Sequence, residues 1–229
     1  MWKIFVTRYV NEWDEVCYQP TIPGYICLVL AGLLCVCLAF HVAGRKETNT
    51  KQITTRQLMF SAMAMALATV TSMIKLFDAP MGGAVTLCSM LFVTLIGYWY
   101  GAKAGILTGV ACGILQLIID PYILSLPQML VDYPLAFGAL GTSGFFANKK
   151  NGLQKGYVCG IFFRWLFACL SGYIFFSHYV WEGWNPILYS LIYNLSYIGI
   201  EGVMTLLLLA LPPVRSALQA VKKLAMEQV

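Results

Sequence analysis

The sequence predicts an all-α integral membrane protein, and three observations carry that prediction. Hydrophobic residues make up 59% of the 229 and charged residues only 11%, where a soluble domain carries roughly a quarter charged residues. The mean hydropathy is +0.73. The apolar residues gather into runs near the roughly 20 residues that a membrane-crossing helix needs. Lys and Arg are distributed unevenly over the polar breaks between those runs.

In chain order, residues 1–21 form a polar and aromatic segment, followed by a first candidate span at 22–43. That run is too long, and too well flanked by polar chain, for a cleavable signal peptide, and no small-residue cleavage site stands out. A basic linker, 44–56, leads to six further runs at 57–76, 84–100, 103–120, 127–147, 156–176 and 186–211, and residues 214–229 form a tail. The breaks carry turn chemistry, notably Pro80-Met81-Gly82-Gly83, Gly101, Pro121, Asn151-Gly152 and Pro212-Pro213.

With the N-terminus outside, the inner segments collect eleven of the 15 Lys and Arg, from Arg45 and Lys46 to Lys222 and Lys223. This is the positive-inside pattern, with a cytoplasmic C-terminus. It accounts for the net charge of +5 without a nucleic-acid partner. The outer side instead holds Asp78, Asp120, Asp132 and Glu182 among Tyr122, Tyr133, Tyr179, Trp181 and Trp184. An aromatic belt explains rings at an interface. It does not explain carboxylates set among them.

Of the eight cysteines, none forms C-x-x-C, and most fall within spans as small apolar filler. Gly105, Gly109 and Gly113 share one face of the 103–120 helix, and Ala62 and Ala66 share one face of the 57–76 helix. Small residues at this spacing let membrane helices approach closely. For the glycines this reads as packing within the bundle. For the alanines a partner helix outside the chain competes with internal packing. Two charges lie deep, Arg164 and Glu201, each roughly 10 Å from the inner boundary at 1.5 Å per residue. An ion pair between them would keep either from being buried alone, in a structural or a coupling role.

Several functions are disfavoured. The chain has no G-x-x-x-x-G-K-[ST], no H-E-x-x-H and no G-x-S-x-G, and its two histidines are His41 and His178. It therefore lacks the marks of a P-loop ATPase, a metal site or a serine hydrolase. No inverted repeat suggests a self-contained transporter. A membrane enzyme or assembly factor whose outer aromatics bind lipid is a further class, weakened by the absence of a nucleophile–base pair. What stands is a bundle with a carboxylate and aromatic rings near its outer face, suited to a flat cation arriving from outside.

The stretches "MGGAVTLCSMLFVTLIGYWYGAKAGILTG", "LSLPQMLVDYPLAFGALG" and "EGWNPILYSLIYN" resemble the thiamine-specific substrate-binding subunits (S components) of energy-coupling-factor (ECF) transporters, the ThiT or YuaJ family. The resemblance implies a six-helix S-component bundle over 57–213, so that 22–43 is one extra N-terminal transmembrane helix. It implies thiamine bound at the outer face, with ATP consumed by two partner ATPases acting through a membrane-embedded T subunit, and no cofactor on this chain. An S component for another small ring vitamin, of pyrimidine or pyridine type, is the alternative. The family carboxylate facing the thiazolium ring falls on Asp132, the adjoining tyrosine on Tyr133, and a later tyrosine and asparagine on Tyr189 and Asn194. Gln116, Trp181 and Trp184 complete the candidate ligand set, and the family's contact with the T subunit falls on Ala62 and Ala66. A family histidine falls on Ala168, and a tryptophan falls on Phe176, which keeps a stacking face but lacks an indole N–H. Pro134 removes one backbone N–H beside Asp132 and can bend the helix to make room for a ligand.

Overall fold

In the computed structural model, the described residues are 4, 6–10, 16–24, 26 and 54–226. Most of the predicted extra helix 22–43, and the linker up to residue 53, lie outside them. The N-terminal segment contains an antiparallel hairpin, β1 (Val6–Val10) with β2 (Val16–Pro20), in the register Val6 opposite Pro20.

Helix α1 (Thr55–Ser72) starts where the Thr54 hydroxyl caps the Gln57 N–H at 3.1 Å. A second hairpin follows, β3 (Lys75–Asp78) and β4 (Ala84–Thr86), joined by a one-turn 3-10 helix at Pro80–Gly82. Helix α2 (Ser89–Tyr100) then runs to Gly101, whose φ of 94° turns the chain into α3 (Ala102–Ile119). The predicted 84–100 span thus opens with a strand, and its helix begins at Ser89.

The predicted 127–147 span is a composite. A short helix, α4 (Leu126–Leu130), runs into a π-helical turn (Val131–Leu135), then α5 (Ala136–Ala139) and a 3-10 stretch (Leu140–Phe146). Pro134 sits inside the π turn. Its missing N–H cannot hold the α-helical ladder, so the backbone there widens.

Two long helices complete the bundle, α6 (Gly152–Phe175) and α7 (Pro186–Ala210). Asn185 caps α7 by accepting from the Ile187 N–H at 2.9 Å. The predicted tail is itself a helix, α8 (Pro212–Met226), that folds back on the bundle. Tyr100 donates its hydroxyl to the Ala225 carbonyl at 2.9 Å, and Lys222 lies over the Tyr98 ring. Among the described residues, α3, α6 and α7 are long and apolar enough to cross a membrane, and α2 is a shorter apolar helix.

The glycine stripe packs inward. A Cβ on Gly113 would come within 2.7 Å of the Tyr133 carbonyl carbon, and one on Gly105 within 2.8 Å of the Gly141 Cα. Helix α3 therefore lies directly against the π turn and the 3-10 stretch, which fixes where Asp132 and Tyr133 point. The alanine stripe splits: Ala64 and Ala68 are buried, whereas Ala62 and Ala66 are exposed.

Candidate functional site: an acid-and-aromatic cavity

A cavity of about 190 Å3 lies among the ends of α1, α3, α6 and α7, the π turn and the second hairpin. This is on the order of ten times the space one ordered water needs. Asp132, Tyr133, Phe176, Gln116, Tyr189 and Asn194 all line it. The structure thus brings together six of the eight predicted ligand residues, drawn from four separate segments.

Asp132 accepts from Gln128 Nε2 at 2.7 Å and from Ser171 Oγ at 2.8 Å. Both bonds end on Oδ2, so the carboxylate is held in place while Oδ1 is left to the cavity. Gln128 is itself fixed, donating to the Tyr122 carbonyl at 3.1 Å and accepting from the Leu124 N–H at 3.0 Å. The Tyr133 hydroxyl donates to the Asp120 carbonyl at 2.9 Å and accepts from the Tyr122 N–H at 2.7 Å. Its polar end braces the turn after α3.

Aromatic rings line the same space. Phe176 stacks on Tyr122 with ring centres 6.0 Å apart, and Tyr189 stacks on Tyr193 at 6.1 Å. Tyr193 also fastens the loop of the second hairpin, donating to the Pro80 carbonyl and accepting from the Gly83 N–H. Asn194 is 4% exposed. Its amide donates to the Ala168 and Ser190 carbonyls, and its oxygen accepts from Tyr197 at 2.7 Å. Ala168 contributes its backbone carbonyl, which is already engaged by Asn194. Gln116 donates to Ser72 at 2.6 Å.

Two predictions are corrected here. Trp181 and Trp184 do not line the cavity; they are 63% and 44% exposed and pack edge-to-face on each other, with Trp181 also edge-on to Tyr189 at 5.5 Å. They sit in the loop before α7, whose path no helical periodicity fixes.

Arg164 and Glu201 form no ion pair. Glu201 instead caps the start of α2. Its Oε2 accepts from the Thr86 N–H at 3.0 Å and the Thr86 hydroxyl at 2.7 Å, and its Oε1 from the Ser89 hydroxyl at 3.1 Å and the Met90 N–H at 3.2 Å. A carboxylate suits the positive end of a helix and its unpaired N–H groups. Arg164 lies over the Phe137 ring, 4.1 Å from its centre, and lines the cavity.

At the mouth, Lys75 Nζ bridges Asp120 at 2.9 Å and Asp78 at 3.4 Å. Burial pulls the Lys75 pKa down, but the bonds and charges of the two aspartates outweigh it and hold the ammonium above its ordinary value. Sequence reasoning passed over Gln128 and Ser171. Gln128 lies four residues before Asp132, the spacing that joins side chains on one helix face, and this alone could have marked it.

A helical membrane bundle that encloses a fixed carboxylate among stacked rings defines a membrane protein built to hold a small, flat molecule. The chain belongs to the thiamine transporter protein (Thia_YuaJ) family, whose sequence profile matches residues 58–220. It is 33% identical over 153 residues to the thiamine transporter ThiT of Bacillus subtilis, a match covering 61% of this chain and 78% of that one. The fold is similar to the solved structure of ThiT from Listeria monocytogenes, with a TM-score of 0.54 and 23% identity, over 70% of this chain and 94% of that one.

Proposed function

We propose that this chain binds thiamine with high affinity at the outer face of a bacterial plasma membrane, as the substrate-binding S component of an ECF transporter. The observation that carries the reading is Asp132: a carboxylate anchored through one oxygen, with the other left to a cavity walled by aromatic rings. That arrangement suits a thiazolium, which is flat and permanently cationic. The chain performs no catalysis and carries no cofactor in this reading. A T subunit docks on the exposed Ala62 and Ala66, and two ATPases supply the energy. Residues 57–213 form the binding core, 22–43 an added transmembrane helix, and the basic segments face the cytoplasm with the C-terminus.

Ala168 favours one second reading. With no side chain there to donate to a ring, the cavity suits an S component for another small ring vitamin or precursor, of pyrimidine or pyridine type. Titration calorimetry on purified protein separates the two. Asp132→Asn preserves size and removes the charge, and loss of a charge-assisted contact in a dry site costs about 2–4 kcal/mol, or roughly 30- to 1,000-fold in thiamine affinity. Unchanged thiamine binding in that variant would remove Asp132 as the cation site. A wild-type protein that ignores thiamine but binds a neutral ring compound would install the second reading.

A further inference from the structure

A second cavity, of about 220 Å3, lies at the opposite end of the bundle from Asp132. Tyr98 at the end of α2, Gly152 and Leu153 at the start of α6, and Arg215, Gln219 and Lys222 on α8 line it. No described carboxylate neutralises its cations. Arg215 donates its Nε–H to the Leu209 carbonyl at 2.9 Å, which leaves both Nη groups without a partner among the described residues. Lys222 Nζ lies 4.2 Å from the centre of the Tyr98 ring, a contact that offers the ammonium no oxygen acceptor. The ion pairs found among the described residues both belong to Lys75. The described carboxylates are elsewhere: Asp78, Asp120, Asp132 and Glu182 toward the other end, and Glu201 bound at the start of α2.

The cavity has the chemistry of an anion site. Arg215, Gln219 and Lys222 are spaced i, i+4 and i+7, so they share one face of α8 and span about 10.5 Å of its axis. Their donors can converge on one group between them. Another part of the wall is the first turn of α6, a 24-residue helix whose N-cap residue, Asn151, makes no side-chain capping bond. The N–H groups of that turn have no partner within the helix, and the helix end carries a positive partial charge. Lys150 and Lys155 flank the turn in the chain without lining the cavity, and they add to the field.

The level of the cavity indicates where the anion comes from. Helices α6 and α7 are long and apolar enough to cross a membrane. Their 24 and 25 residues span about 36 Å, against a hydrocarbon core of about 30 Å, so the start of α6 and the end of α7 reach the headgroup layer. Leu211, Val221 and Leu224 are exposed at the end of α7 and along α8, beside its charged face. That is the pattern of a helix lying in a membrane interface. Basic pockets between helices on the cytoplasmic side hold acidic lipid headgroups, and the positive-inside pattern assigns this end to that side. We propose that the second cavity binds the phosphate of an anionic phospholipid, held by Arg215 and Lys222 with Gln219 between them. The site stands apart from the first cavity and from the thiamine reading. A lipid bound there ties α8 to the start of α6.

The test uses the full-length protein, stripped of lipid in a neutral detergent, and reads the thermal midpoint during titration. The probes are dihexanoyl phosphatidylglycerol, dihexanoyl phosphatidylcholine and inorganic phosphate. Phosphatidylglycerol should raise the wild-type midpoint, because a ligand that binds only the folded state stabilises it. The other two probes should do so far less at the same concentration. Replacing Arg215 and Lys222 together with glutamine should weaken phosphatidylglycerol binding about 10- to 100-fold, the range for two basic contacts with an acidic lipid. Lys150→Gln with Lys155→Gln should leave the response nearly as it is. The proposal fails if wild type does not respond to phosphatidylglycerol, or if the Arg215→Gln, Lys222→Gln protein responds as wild type does. It fails equally if the Lys150→Gln, Lys155→Gln protein loses as much, since the attraction is then one of general surface charge. An equal response to inorganic phosphate overturns the lipid as the source, and an equal response to phosphatidylcholine overturns the selection for net negative charge. Should the Arg215→Gln, Lys222→Gln protein not fold, Lys222→Gln alone carries the comparison, because its ammonium lies over a ring and holds no other element in place.

Discussion

Glu201 offers the sharpest test of how the cavity is framed. It is 3% exposed and gathers four donors onto two oxygens, a backbone N–H and a hydroxyl on each. Glu201→Gln changes one oxygen into an NH2 with almost no change in shape. Whichever way the introduced amide turns, its NH2 faces one hydroxyl and one backbone N–H. The hydroxyl can rotate to accept. The N–H, of Thr86 or Met90, cannot, and it is left buried against another donor. An orphaned buried donor costs about 1–3 kcal/mol. At about 2–4 °C per kcal/mol for a chain of this size, the thermal midpoint should fall by about 2–12 °C. The damage should be local: amide exchange should quicken at Thr86 or Met90 and stay unchanged in α3, with Glu201→Ala losing more because both N–H groups are then unpaired. A midpoint and exchange rates identical to wild type would refute the reasoning, since they would mean that Glu201 accepts no backbone hydrogen bond of consequence at the start of α2.

Two further outcomes follow from the packing. Gly113→Ala should displace the π turn, because its Cβ meets the Tyr133 carbonyl, costing about 1–3 kcal/mol of stability and weakening thiamine binding by calorimetry; retained affinity would show that the turn is not held by α3. If the T subunit docks on Ala62 and Ala66 as proposed, replacing both with leucine should abolish co-purification with the T subunit and ATPases while leaving ligand binding intact, and loss of binding with intact assembly would place the stripe inside the bundle.

Much of the site was legible because a polar residue in a membrane run has few reasons to be there. Asp132 stood out against apolar neighbours, and Pro134 announced the distorted backbone that became the π turn, whereas Tyr189 and Asn194 were reached only through the family resemblance. Glu201 stood out in the same way, yet its partners did not. They are backbone N–H groups and hydroxyls more than a hundred residues away, and such donors leave no mark in the sequence. The expectation of an ion pair with Arg164 matched opposite charges at equal depth, but depth along two helices says nothing of which faces meet. The alanine stripe could be found by spacing, whereas the side it faced depended on the position of α2 against it. Trp181 and Trp184 were misplaced for a different reason: their loop has no period from which to project a direction.

The bridge at the mouth bears on how quickly a ligand arrives. Lys75 neutralises one of its two aspartate partners, so the trio of Lys75, Asp78 and Asp120 keeps an excess of one negative charge where the cavity meets solvent. A field of that sign steers cations during diffusion and is screened by dissolved ions over a Debye length of about 10 Å at 0.1 M. Encounter with a cationic ligand therefore slows as ionic strength rises. Departure of a ligand held at Asp132, as proposed above, responds far less. The two rate constants of one binding equilibrium are set by different parts of the molecule, and salt addresses only the first.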